Sequence, residues 1–224
     1  NKGQKTTPSA EEKAKDLLNY KDVSELPKEE SDTLPTLYVF RHGQTEDNAK
    51  YIFSGWRDPD LTEEGRKQAL ILAEKLEDKK LDLLISSPQV RALDTMKLGV
   101  SLNVNAKDKE IETDERIKER SYGDLQGTSK MELQLKDPEL LKRIRRGYYE
   151  VPTNGESMEM VCQRVASFCD QLVERMKREK INVAISCHGN SFRGFRQYFE
   201  HLKPEEIEKL ETPLGQDYAA YVIR

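Results

Sequence analysis

The sequence predicts an α/β three-layer sandwich with a mostly parallel sheet, and two kinds of pattern predict it. Short apolar, β-prone runs each stop at a polar loop, and stretches with apolar residues at helical spacing lie between them. A further observation ties two of those runs together. Each leads directly into the same dipeptide, His42-Gly43 in one case and His188-Gly189 in the other.

Residues 1–34 hold six Lys against eight Asp/Glu and one aromatic, Tyr20, which is too little apolar surface for a core. They read as a polar N-terminal extension ahead of a domain over residues 35–224. Ser9 and Glu12 have capping-box spacing, and Ala14, Leu17 and Leu18 make one apolar stripe, so a helix is predicted at about 10–19. It would be a solvated segment packed weakly on the domain, or a docking arm for a partner or second subunit.

From Thr36 the pattern changes. Leu37-Tyr38-Val39-Phe40 reads as a buried strand that delivers Arg41-His42-Gly43 to the carboxyl edge of a sheet. After Leu61-Thr62, the residues Ala69, Leu70, Leu72, Ala73 and Leu76 mark a helix, and Leu83-Leu84-Ile85 a second buried strand ending at Ser86-Ser87-Pro88. Asp137-Pro138 opens a short helix that Gly147 closes, with Arg143, Arg145 and Arg146 in its last turns. Met158, Val161, Val165, Phe168, Leu172 and Met176 predict a long amphipathic helix over about 156–179. The run from Ile181 to Ser186 is the third strand.

Composition narrows the function classes. Among 224 residues, 37 Lys+Arg against 41 Asp+Glu give a net charge of −4, a mixed surface that argues against nucleic-acid or anionic-membrane partners. No run approaches the roughly 18 apolar residues of a membrane helix. Asn1 to Pro35 shows neither the basic start nor the apolar run of a secretion signal, so a cytoplasmic location is expected. Cys162, Cys169 and Cys187 are an odd count with no C-x-x-C pair, which disfavours a disulfide framework and a zinc site. Cys162 and Cys169 are expected in the core, Cys187 buried beside His188, and His201 on the surface. No metal is expected.

In open α/β sheets ligands collect beyond the carboxyl ends of the strands, so two His-Gly loops 146 positions apart would converge on one pocket. A single histidine there could be a mere surface or capping residue; two in matching contexts point to chemistry. Arg41 and Arg91 would supply fixed positive charge for a phosphate, although a surface salt bridge would also explain Arg91. Neutral imidazole is a competent nucleophile toward phosphorus, and arginines with a second histidine would neutralise the equatorial oxygens. Glu119, one glutamate among many, is a candidate proton donor to the leaving oxygen.

Arg41-His42-Gly43-Gln44-Thr45 resembles the signature of the histidine phosphatase superfamily, and the resemblance extends over about residues 36–224. More narrowly the chain is similar to the cofactor-dependent phosphoglycerate mutases through an ordered set of stretches. They are Asn48, Phe53-Ser54-Gly55-Trp56, Ser87-Pro88-Gln89-Val90-Arg91-Ala92, Glu119 to Gly127, Lys130, Arg145-Arg146-Gly147-Tyr148, Gly155-Glu156-Ser157 and His188 to Gly194.

The resemblance implies a phosphoglycerate-mutase-like fold and an enzyme interconverting 3-phosphoglycerate and 2-phosphoglycerate, with 2,3-bisphosphoglycerate as phosphoryl primer and no metal. It implies that His42 is phosphorylated, that Arg41, Arg91 and His188 complete the phosphate pocket, and that Glu119 is the general acid/base. Asn48 would hydrogen-bond a phosphoryl oxygen. Ser54, Gly55, Arg120, Tyr122, Lys130, Arg145, Arg146 and Asn190 would hold the substrate's carboxylate and second phosphate. A small phosphorylated substrate is the expected partner, and homodimerisation stays open.

The chain also departs from the mutase pattern. Gln44, Glu46 and Asp47 stand where mutases usually have Glu, a variable residue and Trp, and Ser121 stands where His is usual. Val151-Pro152-Thr153-Asn154 runs straight into Gly155-Glu156-Ser157, where typical mutases insert roughly twenty residues over the site, and the lysine-rich tail of many mutases is not among these residues. A thinner lid admits water, and transfer to water is phosphatase activity. A phosphatase for small phosphate esters or phosphosugars is therefore the first rival. A non-catalytic phospho-binding interaction module, with the extension as its docking element, is the second.

Overall fold

The computed structural model describes residues 7–19 and 25–224. Of the extension, residues 1–6 and 20–24 lie outside the described residues. Helix α1 (Ala10–Leu18) is followed by strand β1 (Thr36–Arg41), the short helix α2 (Glu46–Ala49), helix α3 (Glu63–Leu76), strand β2 (Leu83–Ser86), helix α4 (Val90–Gly99) and strand β3 (Ile111–Thr113). Then come α5 (Lys130–Lys136), α6 (Pro138–Arg146), α7 (Met158–Glu179), β4 (Val183–Cys187), α8 (Gly189–Glu200), α9 (Pro204–Ile207) and β5 (Ala219–Val222).

The sheet has the order β3-β2-β4-β1-β5, with β5 alone antiparallel. β1 and β4 are neighbours in register, Leu37 opposite Val183 and Arg41 opposite Cys187, so His42 and His188 leave the sheet side by side. That pairing is what converts two distant His-Gly dipeptides into one site.

Side chains alternate across these strands, as the pleat requires. Leu37, Val39, Val183 and Ile185 pack with Val161, Val165, Cys169 and Leu172 of α7 and Phe192 and Phe195 of α8. Tyr38, Phe40, Leu84 and Ala184 face Leu72 and Leu76 of α3 and Met96 of α4 on the other side. Both faces being covered explains why β1 and β4 read as continuous apolar runs. Gly194 lets α8 approach α7 closely: a Cβ there would lie 2.9 Å from Cβ of Val165.

A third, smaller cluster forms a cap over the sheet's carboxyl edge. Leu18 of α1 packs with Phe53, Leu141 and Ile144. Helix α1 is capped by Ser9 and Glu12 as its spacing predicts, but only Ala14 and Leu18 of the stripe are buried; Leu17 is 66% exposed. The segment before β1 is more integrated than its composition suggests. Leu26 joins the main core, and Lys28 pairs with Ala220 of β5. The three cysteines are buried and unpaired, and His201 is exposed at the end of α8.

Candidate functional site

Burial and backbone geometry together fix the state of His42. Its ring is 2% exposed, and Nδ1 lies 2.6 Å from the carbonyl of Gly43, which can only accept. Nδ1 therefore carries the hydrogen, and Nε2 accepts from Nε of Arg91 at 3.3 Å. Desolvation, followed by the charges of Arg91 and Arg41, holds the His42 pKa well below the ordinary histidine range. A neutral imidazole with an Nε2 lone pair is the nucleophilic form. Gly43 is required here because a Cβ would sit 2.3 Å from the Gly65 carbonyl.

His188 packs edge to face on His42 with ring centroids 5.1 Å apart, close enough for one tetrahedral anion to meet both rings. It is fully buried, its Nε2 lies 2.8 Å from Ser87 Oγ, and its pKa is lowered first by burial and then by Arg91, His42 and Arg41.

Arg91 is buried at the start of α4. It donates to the carbonyls of Arg57 and Gly55, both at 2.8 Å, as well as to His42. Three of its five N–H groups are used this way and two remain for an anion. Burial pushes its pKa down to about 10, which leaves it charged at neutral pH. Arg41 donates Nη1 to the Thr212 carbonyl at 2.9 Å, and Gly189 lets it lie close, since a Cβ there would come within 3.2 Å of its Cζ. Asn48 caps α2 reciprocally with Thr45, whose N–H and Oγ1 donate to Asn48 Oδ1 at 3.0 and 2.9 Å. With Oδ1 engaged, the remaining polar atom of that amide is a donor.

Glu119 is 7% exposed, and its Oε1 accepts from the N–H groups of Arg120 (2.7 Å) and Asn190 (3.2 Å), leaving Oε2 for proton exchange. Its backbone is clamped. The N–H donates to Gln89 Oε1, and the carbonyl accepts from Trp56 Nε1 and Arg164 Nη2.

These side chains open into one cavity. It brings together Arg41, His42, Asn48, Ser54, Gly55, Arg91, Glu119, Tyr122, Lys130, Arg145 and Asn190, all expected from the sequence. Tyr122 OH accepts from Asn190 Nδ2 at 3.1 Å, and Lys130 lies 5.6 Å from the centroid of the Phe53 ring. Three expected residues do not line it. His188 is fully buried beside His42. Arg120 is 1% exposed and donates to the carbonyls of Glu156, Ile144 and Glu150, so its guanidinium braces the cap and is turned from the cavity. Arg146 pairs with Glu211.

Gly189, Arg193, Glu211 and Thr212 also line the cavity, and the sequence reading gave them no role. Arg193 sits in the motif after His188 and could have been suspected from its type alone. Glu211 and Thr212 lie on a loop without any motif signal. The lining thus carries five cations (Arg41, Arg91, Lys130, Arg145, Arg193) against two carboxylates, Glu119 and Glu211. Among the described residues, Arg41 Nε, Ser54 Oγ and Thr212 Oγ1, all on lining residues, are buried without a hydrogen-bond partner, and a bound oxyanion would satisfy them. Among the described residues, no three His, Cys, Asp or Glu side chains are grouped to hold a metal, and no helix is long and apolar enough to cross a membrane.

A family model for the histidine phosphatase superfamily (branch 1) matches residues 37–223. The chain belongs to that superfamily. The 2,3-bisphosphoglycerate-dependent phosphoglycerate mutase of Cytophaga hutchinsonii is 37% identical over 183 residues, covering 81% of this chain and 85% of its own length. The enzyme of that name from Chlamydia trachomatis serovar L2 is 30% identical over 204 residues, covering 80% and 90%. Among solved structures, a mycobacterial glucosyl-3-phosphoglycerate phosphatase complexed with VO3 superposes with a TM-score of 0.73 at 26% identity, covering 83% of this chain and 92% of that one. YhfR of Bacillus stearothermophilus gives 0.72 at 28% identity, covering 83% and 90%. This histidine phosphatase superfamily enzyme therefore resembles proteins named as mutases in sequence and proteins named as phosphatases in structure.

Proposed function

We propose that this enzyme is a phosphoglycerate mutase that interconverts 3-phosphoglycerate and 2-phosphoglycerate through a phosphohistidine at His42. The observation that carries the reading is that the cavity is lined by cations from two separate parts of the fold. Arg41 comes from the end of β1 and Arg91 from the start of α4, beside neutral His42, whereas Lys130 and Arg145 come from the cap helices. A substrate with a phosphate and a second anionic group needs both; a phosphate ester with a neutral tail needs only the first.

2,3-Bisphosphoglycerate would supply the phosphoryl group that primes His42. The unpartnered Arg41 Nε, Ser54 Oγ and Thr212 Oγ1 suit its oxyanions. Arg91 and Asn48 hold the phosphoryl oxygens, Glu119 Oε2 gives and recovers the proton of the substrate oxygen, and His188 stabilises charge beside the histidine under attack. Lys130 and Arg145 keep the intermediate in place while it reorients.

The phosphatase reading has support of its own in the named structural neighbours, but the short connection at Val151–Asn154 does not favour it. The match to the C. hutchinsonii protein spans 183 positions and takes in 81% of 224 residues, about 181, so that relative has no twenty-residue insertion against this chain. The C. trachomatis match spans 204 positions with 80%, about 179, which leaves room for one. Both carry the mutase name.

The deciding experiment compares formation of 2-phosphoglycerate with release of inorganic phosphate by enzyme primed with 2,3-bisphosphoglycerate. Mutase turnover exceeding phosphate release is expected. Free phosphate without 2-phosphoglycerate makes the enzyme a phosphatase.

A further inference from the structure

Three consecutive residues on the loop between α9 and β5 each accept from one arginine at or beside the site. The Leu210 carbonyl accepts from Arg193 Nε at 3.1 Å and Nη2 at 2.7 Å, and the Thr212 carbonyl accepts from Arg41 Nη1 at 2.9 Å. Between them the Glu211 carboxylate pairs with Arg146, at the C-terminal end of α6. Two of the three acceptors are neutral carbonyls. Only Glu211 brings a full negative charge into a cavity whose other charges, Glu119 apart, are cations. Its Oε2 is buried and has no hydrogen-bond partner among the described residues.

A carboxylate in a site that gathers anions acts against binding in two ways. It repels the incoming charge through a partly desolvated medium, and it occupies the guanidinium that the charge would use. Arg146 is directed to Glu211 and does not line the cavity, while its neighbour Arg145 does. From this geometry, and resting on the phosphoglycerate reading above, we infer that Glu211 is an internal counter-ion which the substrate's second anionic group must displace from Arg146. Glu211 would thereby grade phosphomonoesters by the charge of their tails. A neutral tail cannot compete for Arg146, a carboxylate exchanges like for like, and a second phosphate, with more charge and more acceptors, gains most. No covalent step is involved; the device acts on affinity alone.

The test is calorimetric titration of the full chain with 3-phosphoglycerate and, separately, with inorganic phosphate, which has no tail to reach Arg146 while it is held at His42. Glu211→Gln keeps the shape and removes the charge. It is expected to tighten 3-phosphoglycerate about tenfold relative to inorganic phosphate, the change of one charge-assisted contact. In an Arg146→Ala background the same substitution should change that ratio less than about twofold, because no guanidinium remains to be released. Arg146→Ala alone should weaken 3-phosphoglycerate relative to phosphate. An unchanged ratio in Glu211→Gln, or weaker 3-phosphoglycerate binding, overturns the inference and makes the pair a brace for the loop or Glu211 an acceptor for a substrate hydroxyl. An Arg146→Ala protein that binds 3-phosphoglycerate normally overturns it too. These ratios are read from binding, so they are independent of whether the wild type forms 2-phosphoglycerate, the outcome on which the mutase reading stands.

Discussion

Nε of Arg91 donates to Nε2 of His42 at 3.3 Å, with both side chains buried at the carboxyl edge of the sheet. A cation hydrogen-bonded to an imidazole nitrogen excludes a proton from it, so the contact that neutralises an incoming phosphate also keeps the nucleophile unprotonated before one arrives. His42 in turn lowers the pKa of His188, because two imidazolium rings with centroids 5.1 Å apart would repel.

The acid limb of activity should therefore lie low. Protonation of His42 removes the nucleophile, and its pKa stands well below the ordinary histidine value of about 6.5. The expected kcat/KM for phosphoryl transfer to His42 is flat from neutral pH down through 6.5 and falls only in more acidic buffer. A half-point at 6.5 or above, in a rapid-quench assay of the phosphohistidine, would show that the burial does not control the nucleophile.

Stability should move with pH for the same reason, and the sign follows from proton counts. Below about pH 6.5 the unfolded chain protonates His42 and His188, whereas the folded chain does not until lower pH. The unfolded state binds more protons there, so folding stability falls as pH falls. The two histidines together should remove about 2 kcal/mol between pH 7 and 5.5, at about 1 kcal/mol each. Urea unfolding of His42→Gln should recover roughly half of that dependence; an identical pH slope in the variant assigns the acid sensitivity to other groups.

Much of this architecture is legible in the sequence for a physical reason. β1 and β4 are buried on both faces, and apolar residues dominate them, so Leu37–Phe40 and Ile181–Ser186 advertise themselves. β3 does not. Ile111-Glu112-Thr113 is a half-exposed edge whose three residues look like loop, and β5 is short and antiparallel with two alanines. At the site, a residue's type was readable but its direction was not. Glu119 and Arg120 are adjacent, yet only Glu119 reaches the cavity, while the guanidinium of Arg120 donates to backbone carbonyls of the cap. Glu211 was invisible because its placement depends on Arg146 and on the arginines that anchor the carbonyls either side of it, Arg193 and Arg41, partners that lie 17 to 171 positions away in the chain.

Arg164 was equally silent, and it supports a prediction about positioning. From α7 it donates to the carbonyls of Arg116, Lys118 and Glu119 at 2.7 to 2.9 Å and pairs with Glu156, whose other contact is the N–H of Ser121. It thus fixes the backbone on both sides of Glu119 without touching the cavity. Arg164→Met should lower stability by about 1–3 kcal/mol through unsatisfied carbonyls. It should also reduce kcat more than it raises KM, since His42, Lys130 and Arg145 are left in place. A variant with lower Tm but unaltered kcat would reduce Arg164 to a brace of the fold.

Arg145 offers the sharpest separation of the two activities. It lines the cavity from the last turn of α6, an element that carries none of Arg41, His42 or Arg91, and under the proposed reading it holds an anionic tail and takes no part in bond making at phosphorus. Under the mutase reading, such a grip matters most while the bisphosphorylated intermediate must stay bound and turn. Once the grip is lost the intermediate escapes or water intervenes. Arg145→Ala removes one charge-assisted contact of about 1.5–3 kcal/mol, about one to two powers of ten. Mutase turnover should fall by that factor, whereas formation of the phosphohistidine and hydrolysis of a neutral-tailed ester such as p-nitrophenyl phosphate should change little. Lys130→Ala should act in the same direction, because Lys130 lines the same cavity from α5. If both variants lose mutase and esterase activity equally, these two cations support the phosphate pocket itself, and the division of the cavity into a reacting part and a holding part is wrong.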